Sequence, residues 1–525
     1  MSASRILLTL LSAVLFPLAL PNEFYSYGNA FIGIWALAFF YLALRNSESA
    51  REASVLGALF GAVSTAIANY WLMYFGQFSL WTLGGVILGY TGYNALLGPI
   101  LRHFLQRPAR FRPFAFAFVW TGYEYLKSVG FLAYPWGLSA YPFNSILPLT
   151  QIVDVTGIWG LCFLAVLANG VVGEALITWG EGSRRFSVVL RQTLFASVLI
   201  ALFLVYGYDR LNSRVPESGH FDAVLVQQDS DSWIQGNDVQ TLQTAQNLTL
   251  RGIRDLGHTP DIVVWSETSL RYPFTQGKNF YTQNPPEDPF IPFVQNLHTY
   301  LLTGSPYVVD SNWDAMNSVI LLDPTANMVQ HYGKQHLVPF AESFPFWDVP
   351  FVRSFVKNAI GLEAIWIPGS EYTIFSLPLK RGGTVKFGTP ICFEDAFGYL
   401  CRNFVRHGAQ VLINLTNNSW SNTDSAQIQH FVAARFRAIE NRITLVRSTN
   451  SGLTSVVDAY GRVRESLPMF QQGTLPITVP IYKPETSTIY THFGDYLPVG
   501  MLLFLLAILI RERIADTRRI ARKQQ

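Results

Sequence analysis

The sequence predicts an α-helical membrane bundle of eight spans with one α/β domain inserted between the seventh and the eighth. Three observations carry this. Half of the 525 residues are hydrophobic and only 14% are charged, against about 25% in an ordinary globular protein. The mean hydropathy of +0.23 is too high for a purely soluble chain and too low for one that is all membrane. Bilayer-length apolar runs crowd the first two hundred residues, whereas residues 215–485 carry short apolar runs broken by polar ones. At roughly 150 residues per domain the length would allow three or four soluble domains, and the composition excludes that frame. With 38 basic and 35 acidic residues the net charge is +3, which gives no footprint for nucleic acid. Cys162, Cys392 and Cys401 are too few and too scattered for a disulfide scaffold or a zinc site.

A helix of roughly 20 apolar residues crosses the bilayer core. Such runs lie near 6–21, 29–44, 54–74, 80–101, 113–127, 156–178 and 189–208, and an eighth at 496–510. The first lacks a small-x-small cleavage site and reads as a retained anchor. Lys and Arg mark cytoplasmic loops. Arg45 and Arg51 follow the second run, Arg102, Arg107, Arg110 and Arg112 the fourth, and Arg184, Arg185 and Arg191 the sixth. The tail from Arg511 to Lys523 is basic as well, while loops 22–28 and 75–79 hold no Lys or Arg. Both termini are therefore expected in the cytoplasm, with the insert on the outer side. Trp35, Trp71, Tyr74, Trp81, Trp120 and Trp136 fall near span ends, where amphipathic rings prefer the interface. Glu124, an ionisable residue in the fifth run, is by default a functional candidate inside the membrane; the commoner alternative places it within a turn of the aqueous edge beside Lys127.

In the insert, strands are expected at 221–226, 262–265, 300–303, 318–322, 385–388, 411–414, 444–447 and 454–457. Ile428, Phe431, Val432, Arg435 and Ile439 recur at helical spacing across 425–442. Strands alternating with helices indicate an α/β domain. The aromatic segment 340–360 reads either as a buried connection or as an arm reaching the bilayer surface.

Three segments place a reactive side chain at or beside the end of an apolar strand, where α/β sheets form their ligand crevice. They are Trp265-Ser266-Glu267-Thr268, the stretch Tyr332–Phe340 with Lys334 and the following Glu342, and Pro390-Ile391-Cys392-Phe393-Glu394-Asp395. A thiol attacks only as thiolate. A carboxylate takes its proton, and an ammonium steadies the thiolate and the oxyanion formed at a carbonyl. Glu, Lys and Cys thus make a self-consistent acyl-transfer set. Cys162 lies inside a span, and Cys401 has no acid–base pattern around it. No metal or organic cofactor is called for by any residue pattern.

The stretches VVWSET, YGKQHLVPFAE, GTPICFED, NLTNNSW and STNSGLTSVVDAYG resemble the nitrilase superfamily, whose members carry Glu, Lys and Cys in this order. The whole arrangement, with the insert between a seventh and an eighth span, resembles the bacterial apolipoprotein N-acyltransferases. The resemblance implies an αββα sandwich at 215–485, a seven-helix membrane domain at 1–214, and an eighth helix with a basic tail at 486–525. It implies Glu267 as general base, Lys334 as oxyanion-stabilising cation and Cys392 as nucleophile. Glu342 would hold the lysine and Glu394 would support from behind. Phe393 stands where relatives carry Tyr, and Trp233 falls where the family carries a Trp important for the second substrate. Asn417, Asn418 and Trp420 line a matching stretch without an assigned step. The implied reaction takes an acyl chain from a membrane phospholipid through a thioester to the N-terminal cysteine amine of an apolipoprotein. The implied setting is a multi-pass protein of the bacterial inner membrane, its catalytic domain periplasmic, acting as a monomer. A tethered amidase using the same three residues, and a transporter with an outer binding domain, are the rival readings.

Overall fold

The computed structural model describes residues 2–75, 79–180, 186–213, 215–230, 234, 236–360, 365–483 and 486–524. They form two compact units, one of residues 1–70, 83–212 and 493–525, the other of 71–82 and 213–492.

The first unit is helical, with helices at Ala3–Ala19, Ala30–Gly33, Ala38–Arg45, Ala50–Ala68, Arg112–Leu126, Ile158–Gly180 and Phe186–Asn212, the greater part of Ser79–Leu105, and Tyr496–Gln524. All eight apolar runs are largely helical. Among the described residues, two helices, Ile158–Gly180 and Phe186–Asn212, are long and apolar enough by length and composition to cross a membrane. The second exposes most of its length, including Leu190, Leu194, Phe195, Val198, Leu202 and Val205. The run expected at 29–44 is not one helix: it breaks over 34–37. Polar side chains satisfy the backbone there. Asn169 donates to Gly33 O at 2.8 Å and accepts from Leu37 N at 2.7 Å, and Ser12 Oγ donates to Ala36 O at 2.6 Å. A break inside apolar surroundings requires such partners. Helices Ala50–Ala68 and Ser79–Leu105 touch backbone to backbone. A Cβ on Gly57 would stand 2.0 Å from Asn94 O, and one on Gly98 2.1 Å from Ala53 O, the close approach that small residues permit. Glu124 is buried within the protein. Its carboxylate accepts from Trp120 Nε1 (3.1 Å), Ser139 N (2.7 Å) and Ser139 Oγ (2.8 Å), a fully bonded structural role.

The second unit holds two six-stranded sheets. The first is built from β1 (Glu217–Gln227), β2 (Ile262–Val264), β3 (Tyr300–Val308), β4 (Ala315–Leu322), β5 (Met328–Gly333) and β12 (Gly473–Tyr482), in the order β12-β1-β2-β3-β4-β5. The second contains β6 (Phe375–Pro378), β7 (Thr384–Gly388), β8 (Val411–Thr416), β9 (Thr444–Thr449), β10 (Ser455–Val457) and β11 (Val463–Ser466), in the order β11-β10-β9-β8-β7-β6. Each has a parallel centre, β1-β2-β3 or β7-β8-β9, flanked by antiparallel strands. The sheets face each other: Ser448 Oγ of β9 donates to Val264 O of β2 at 3.1 Å. Helix Asp238–Leu256 packs on β1 and β12, while Gly398–Arg406 and Asp424–Asn441 cover the second sheet, giving four layers.

All eight expected strands form, and the four unforeseen ones, β5, β6, β11 and β12, are the four sheet edges. Asp424–Asn441 is buried on every side, not along one stripe. Segment 340–360 is not a buried connection. It ends in helix Pro350–Ile360, on which Val356 is buried while Phe351 and Phe355, and Phe346 before it, are exposed. Residues 71–82, expected wholly within the membrane portion, belong to the second unit. The rings of Trp71 and Phe75 lie 5.7 and 4.8 Å from that of Trp420, and Trp71 Nε1 donates to Gln429 Oε1 at 3.2 Å.

Candidate active site

Glu267 stands just beyond the carboxyl end of β2. The turn carrying it is locked from behind: Ser266 Oγ and Ser269 Oγ both donate to Gln228 Oε1, at 2.6 and 3.0 Å. Strand β3 passes so close that a Cβ on Gly304 would meet Thr268 N at 2.3 Å, so only glycine fits. Lys334 follows β5 and is fully buried; its N–H donates to Asn317 O at 2.8 Å. Cys392 follows β7 and opens the single turn Cys392–Ala396. Its φ of +54° lies in the left-handed region, which for a residue with a side chain costs about 1–3 kcal/mol and persists only where surroundings enforce it. Asn414 of β8 does part of this, donating Nδ2 to Pro390 O (2.9 Å) and Cys392 O (2.8 Å). The resulting thiol is half-buried.

The charged groups converge. Lys334 Nζ is 2.8 Å from Glu342 Oε1 and 3.6 Å from Glu267 Oε1. Asn317 Nδ2 donates to the same two oxygens, at 2.8 Å to Glu267 and 3.3 Å to Glu342. The other Glu267 oxygen accepts from Asn417 N at 2.7 Å, and the other Glu342 oxygen from Val338 N at 2.8 Å. Burial alone would lower the Lys334 pKa, but Glu342, Glu267 and Cys392 outweigh it and hold the ammonium charged. Burial, followed by the facing Glu267 carboxylate, pushes the Cys392 thiol well above its ordinary value, with Lys334 opposing. The resting site is therefore a thiol facing a carboxylate, with an ammonium beside both. A carboxylate and an ammonium so placed can take a proton from an attacking thiol and stabilise an oxyanion.

Glu394 lies behind Cys392, fully buried, accepting from Gln335 N (2.8 Å), His336 N (2.9 Å), Ile391 N (2.7 Å) and Tyr332 OH (3.1 Å). It ties the Cys392 turn to the segment that carries Lys334. Burial pushes it up to about 7 against the pull of those N–H donors. The Phe393 ring lies 5.4 Å from Lys334 Nζ, a cation–π contact. Burial, then Lys334, lowers the His336 pKa to about 4, which leaves that ring neutral. Trp233 lies outside the described residues. Asn418 bonds Gln427 Oε1 at 2.6 Å, away from the carboxylates. Among the described residues no group of three or more His, Cys, Asp or Glu side chains is arranged to hold a metal.

Sequence reasoning missed Asn317 and Asn414. Both are polar residues in strands, and Asn414, ending a run of apolar residues, was the visible signal.

Two family descriptions match the chain: "Apolipoprotein N-acyltransferase N-terminal domain" over residues 12–171 and "Carbon-nitrogen hydrolase" over 225–482. "Apolipoprotein N-acyltransferase 2" of Treponema denticola is 39% identical over 97% of this chain and 98% of its own length. "Apolipoprotein N-acyltransferase" of Borreliella burgdorferi is 32% identical over 95% of this chain and 94% of its own. Among solved structures, Saccharomyces cerevisiae Nit3, of the nitrilase superfamily, aligns at 19% identity over 54% of this chain and 97% of its own, with a TM-score of 0.37. With both halves matched and full-length relatives on either side, the chain belongs to the apolipoprotein N-acyltransferase family.

Proposed function

We propose that this chain transfers an acyl group from a membrane phospholipid to the N-terminal cysteine α-amino group of a diacylglyceryl-modified apolipoprotein, through a thioester on Cys392. The observation that carries the reading is Lys334 held between Glu342 and Glu267 at 2.8 and 3.6 Å, with both Glu267 and Lys334 acting on the Cys392 thiol.

In the first half-reaction Glu267 takes the Cys392 proton as sulfur bonds to the ester carbonyl carbon. Lys334, held in place by Glu342, stabilises the tetrahedral oxyanion. On collapse the C–O bond breaks and Glu267 returns the proton to the lysophospholipid oxygen. In the second, the acceptor amine attacks the thioester carbonyl, Glu267 takes a proton from the attacking nitrogen, and as the C–S bond breaks it passes that proton to sulfur, restoring thiol and carboxylate. Two bulky lipids are thereby handled in turn at one site. Trp233 serves the second substrate in this reading.

Eight membrane spans, a catalytic domain at 215–485 facing the periplasm, cytoplasmic termini and a monomeric state complete the proposal. The one-sided distribution of Lys and Arg supports the orientation. The exposed apolar surface of Phe186–Asn212 supports burial in lipid. The test is to incubate the full chain in mixed micelles with phospholipid and a diacylglyceryl-cysteine lipopeptide. The expected product is the N-acylated lipopeptide with one equivalent of lysophospholipid. Ammonia release from small amides with no lipopeptide acylation would favour a hydrolase instead.

A further inference from the structure

A second buried carboxylate stands next to Glu394 on the nucleophile's turn, and no step of the reaction uses it. Asp395 is fully buried; its Oδ2 lies 3.0 Å from Arg447 Nε and its Oδ1 2.8 Å from His430 Nε2. Arg447 is itself fully buried and none of its three guanidinium nitrogens makes a hydrogen bond among the described residues, so its charge rests on the ion pair with Asp395. Such a pair is costly to bury and seldom increases stability over an apolar replacement; its plausible return is conformational specificity.

The placement identifies what is specified. Arg447 on β9 is the register partner of Asn414 on β8, and Asn414 holds the carbonyls of Pro390 and Cys392. Three residues beyond Asn414, the N–H of Asn417 holds Glu267. His430 lies on the buried helix Asp424–Asn441. The turn bearing Cys392 is thus pulled two ways by consecutive carboxylates: Glu394 toward the Lys334 segment, Asp395 toward β9 and the helix. Left-handed backbone at Cys392 persists only where its surroundings over-determine it.

We infer that Asp395, clamped by Arg447 and His430, is a positioning residue that fixes the Cys392 turn against the strand ends carrying the base. This rests on Cys392 being the nucleophile. Asp395→Asn keeps the shape and removes the charge. Single-turnover thioester formation by the full chain with labelled phospholipid in micelles is expected to slow about ten- to a hundredfold. The KM for phospholipid is expected to stay within about threefold, since no lipid contact is removed. A folded Asp395→Asn protein acylating at the wild-type rate, or losing only KM, overturns the inference. Should that variant not fold, His430→Gln is read by the same two outcomes. Cys392→Ala is run in parallel: labelled thioester on it sinks the nucleophile assignment, whereas a slow Asp395→Asn beside a blank Cys392→Ala supports both.

Discussion

The backbone N–H of Asn417 donates to Glu267 Oε2 at 2.7 Å, joining the end of β8 in one sheet to the end of β2 in the other. Glu267 is therefore held by the second sheet's backbone while its other oxygen takes Asn317 Nδ2 at 2.8 Å and faces Lys334 Nζ. Both lobes of the carboxylate are occupied by donors, so its position does not depend on substrate.

Asn317 bridges Glu267 and Glu342 and is almost wholly buried. Asn317→Leu leaves Glu342 Oε1 its bond to Lys334 but Glu267 Oε1 only the ammonium at 3.6 Å, at about 1–3 kcal/mol for one unsatisfied buried group. The expected result is a kcat loss of about tenfold or more and a lower melting temperature in detergent. Unchanged kcat would show that Lys334 alone orders the carboxylates.

The Cys392 thiol is raised by burial and Glu267 and lowered by Lys334. A raised pKa lowers the thiolate fraction at every pH below it, so iodoacetamide alkylation of Cys392 should rise only above the ordinary thiol range. Glu267→Gln removes a raising cause and should move the alkylation profile to lower pH while abolishing turnover. Lys334→Met removes the opposing charge and should move it higher. Opposite movements would mean that these charges do not act on the sulfur.

Glu342→Gln takes one of two carboxylates from a buried ammonium. Breaking a buried pair costs about 3–5 kcal/mol, here moderated because Glu267 stays 3.6 Å away. The variant is expected to fold, to acylate slowly, and to show thioester formation impaired at least as much as thioester discharge, measured by separate single-turnover experiments.

Phe393 needs only its ring face toward Lys334. Phe393→Tyr should keep thioester formation within about threefold, and Phe393→Leu should lower it about tenfold, in line with a desolvated cation–π contact of up to roughly 2 kcal/mol. Equal rates for Tyr and Leu would remove the ring from the account.

Glu267, Lys334 and Cys392 were legible because each sits in a short local motif at a strand end. Asn317, Asn414 and Arg447 were not, because their roles arise from contacts between strands far apart in the chain: Asn317 lies 50 residues from Glu267, and Asn417 150. The strands missed were the edges, for a physical reason. β11 (VRES) is mostly exposed, β5 (MVQHYG) half-polar, and β6 (FSLP) only four residues long. β12 (GTLPITVPIY) contains Pro476 and Pro480, which read against a strand but are tolerated on an edge. The break at 34–37 was hidden because Asn169 and Ser12, which satisfy it, lie in other runs.

Between donor and acceptor the acyl chain is expected to rest on Cys392. The full chain should be incubated with acyl-labelled phospholipid, without lipopeptide, and then digested and read by mass spectrometry. The expected result is one hydroxylamine-labile acyl group on the peptide containing Cys392, absent from Cys392→Ala and discharged by added lipopeptide. Label on another residue, or none on a preparation that turns over with both substrates present, would contradict it.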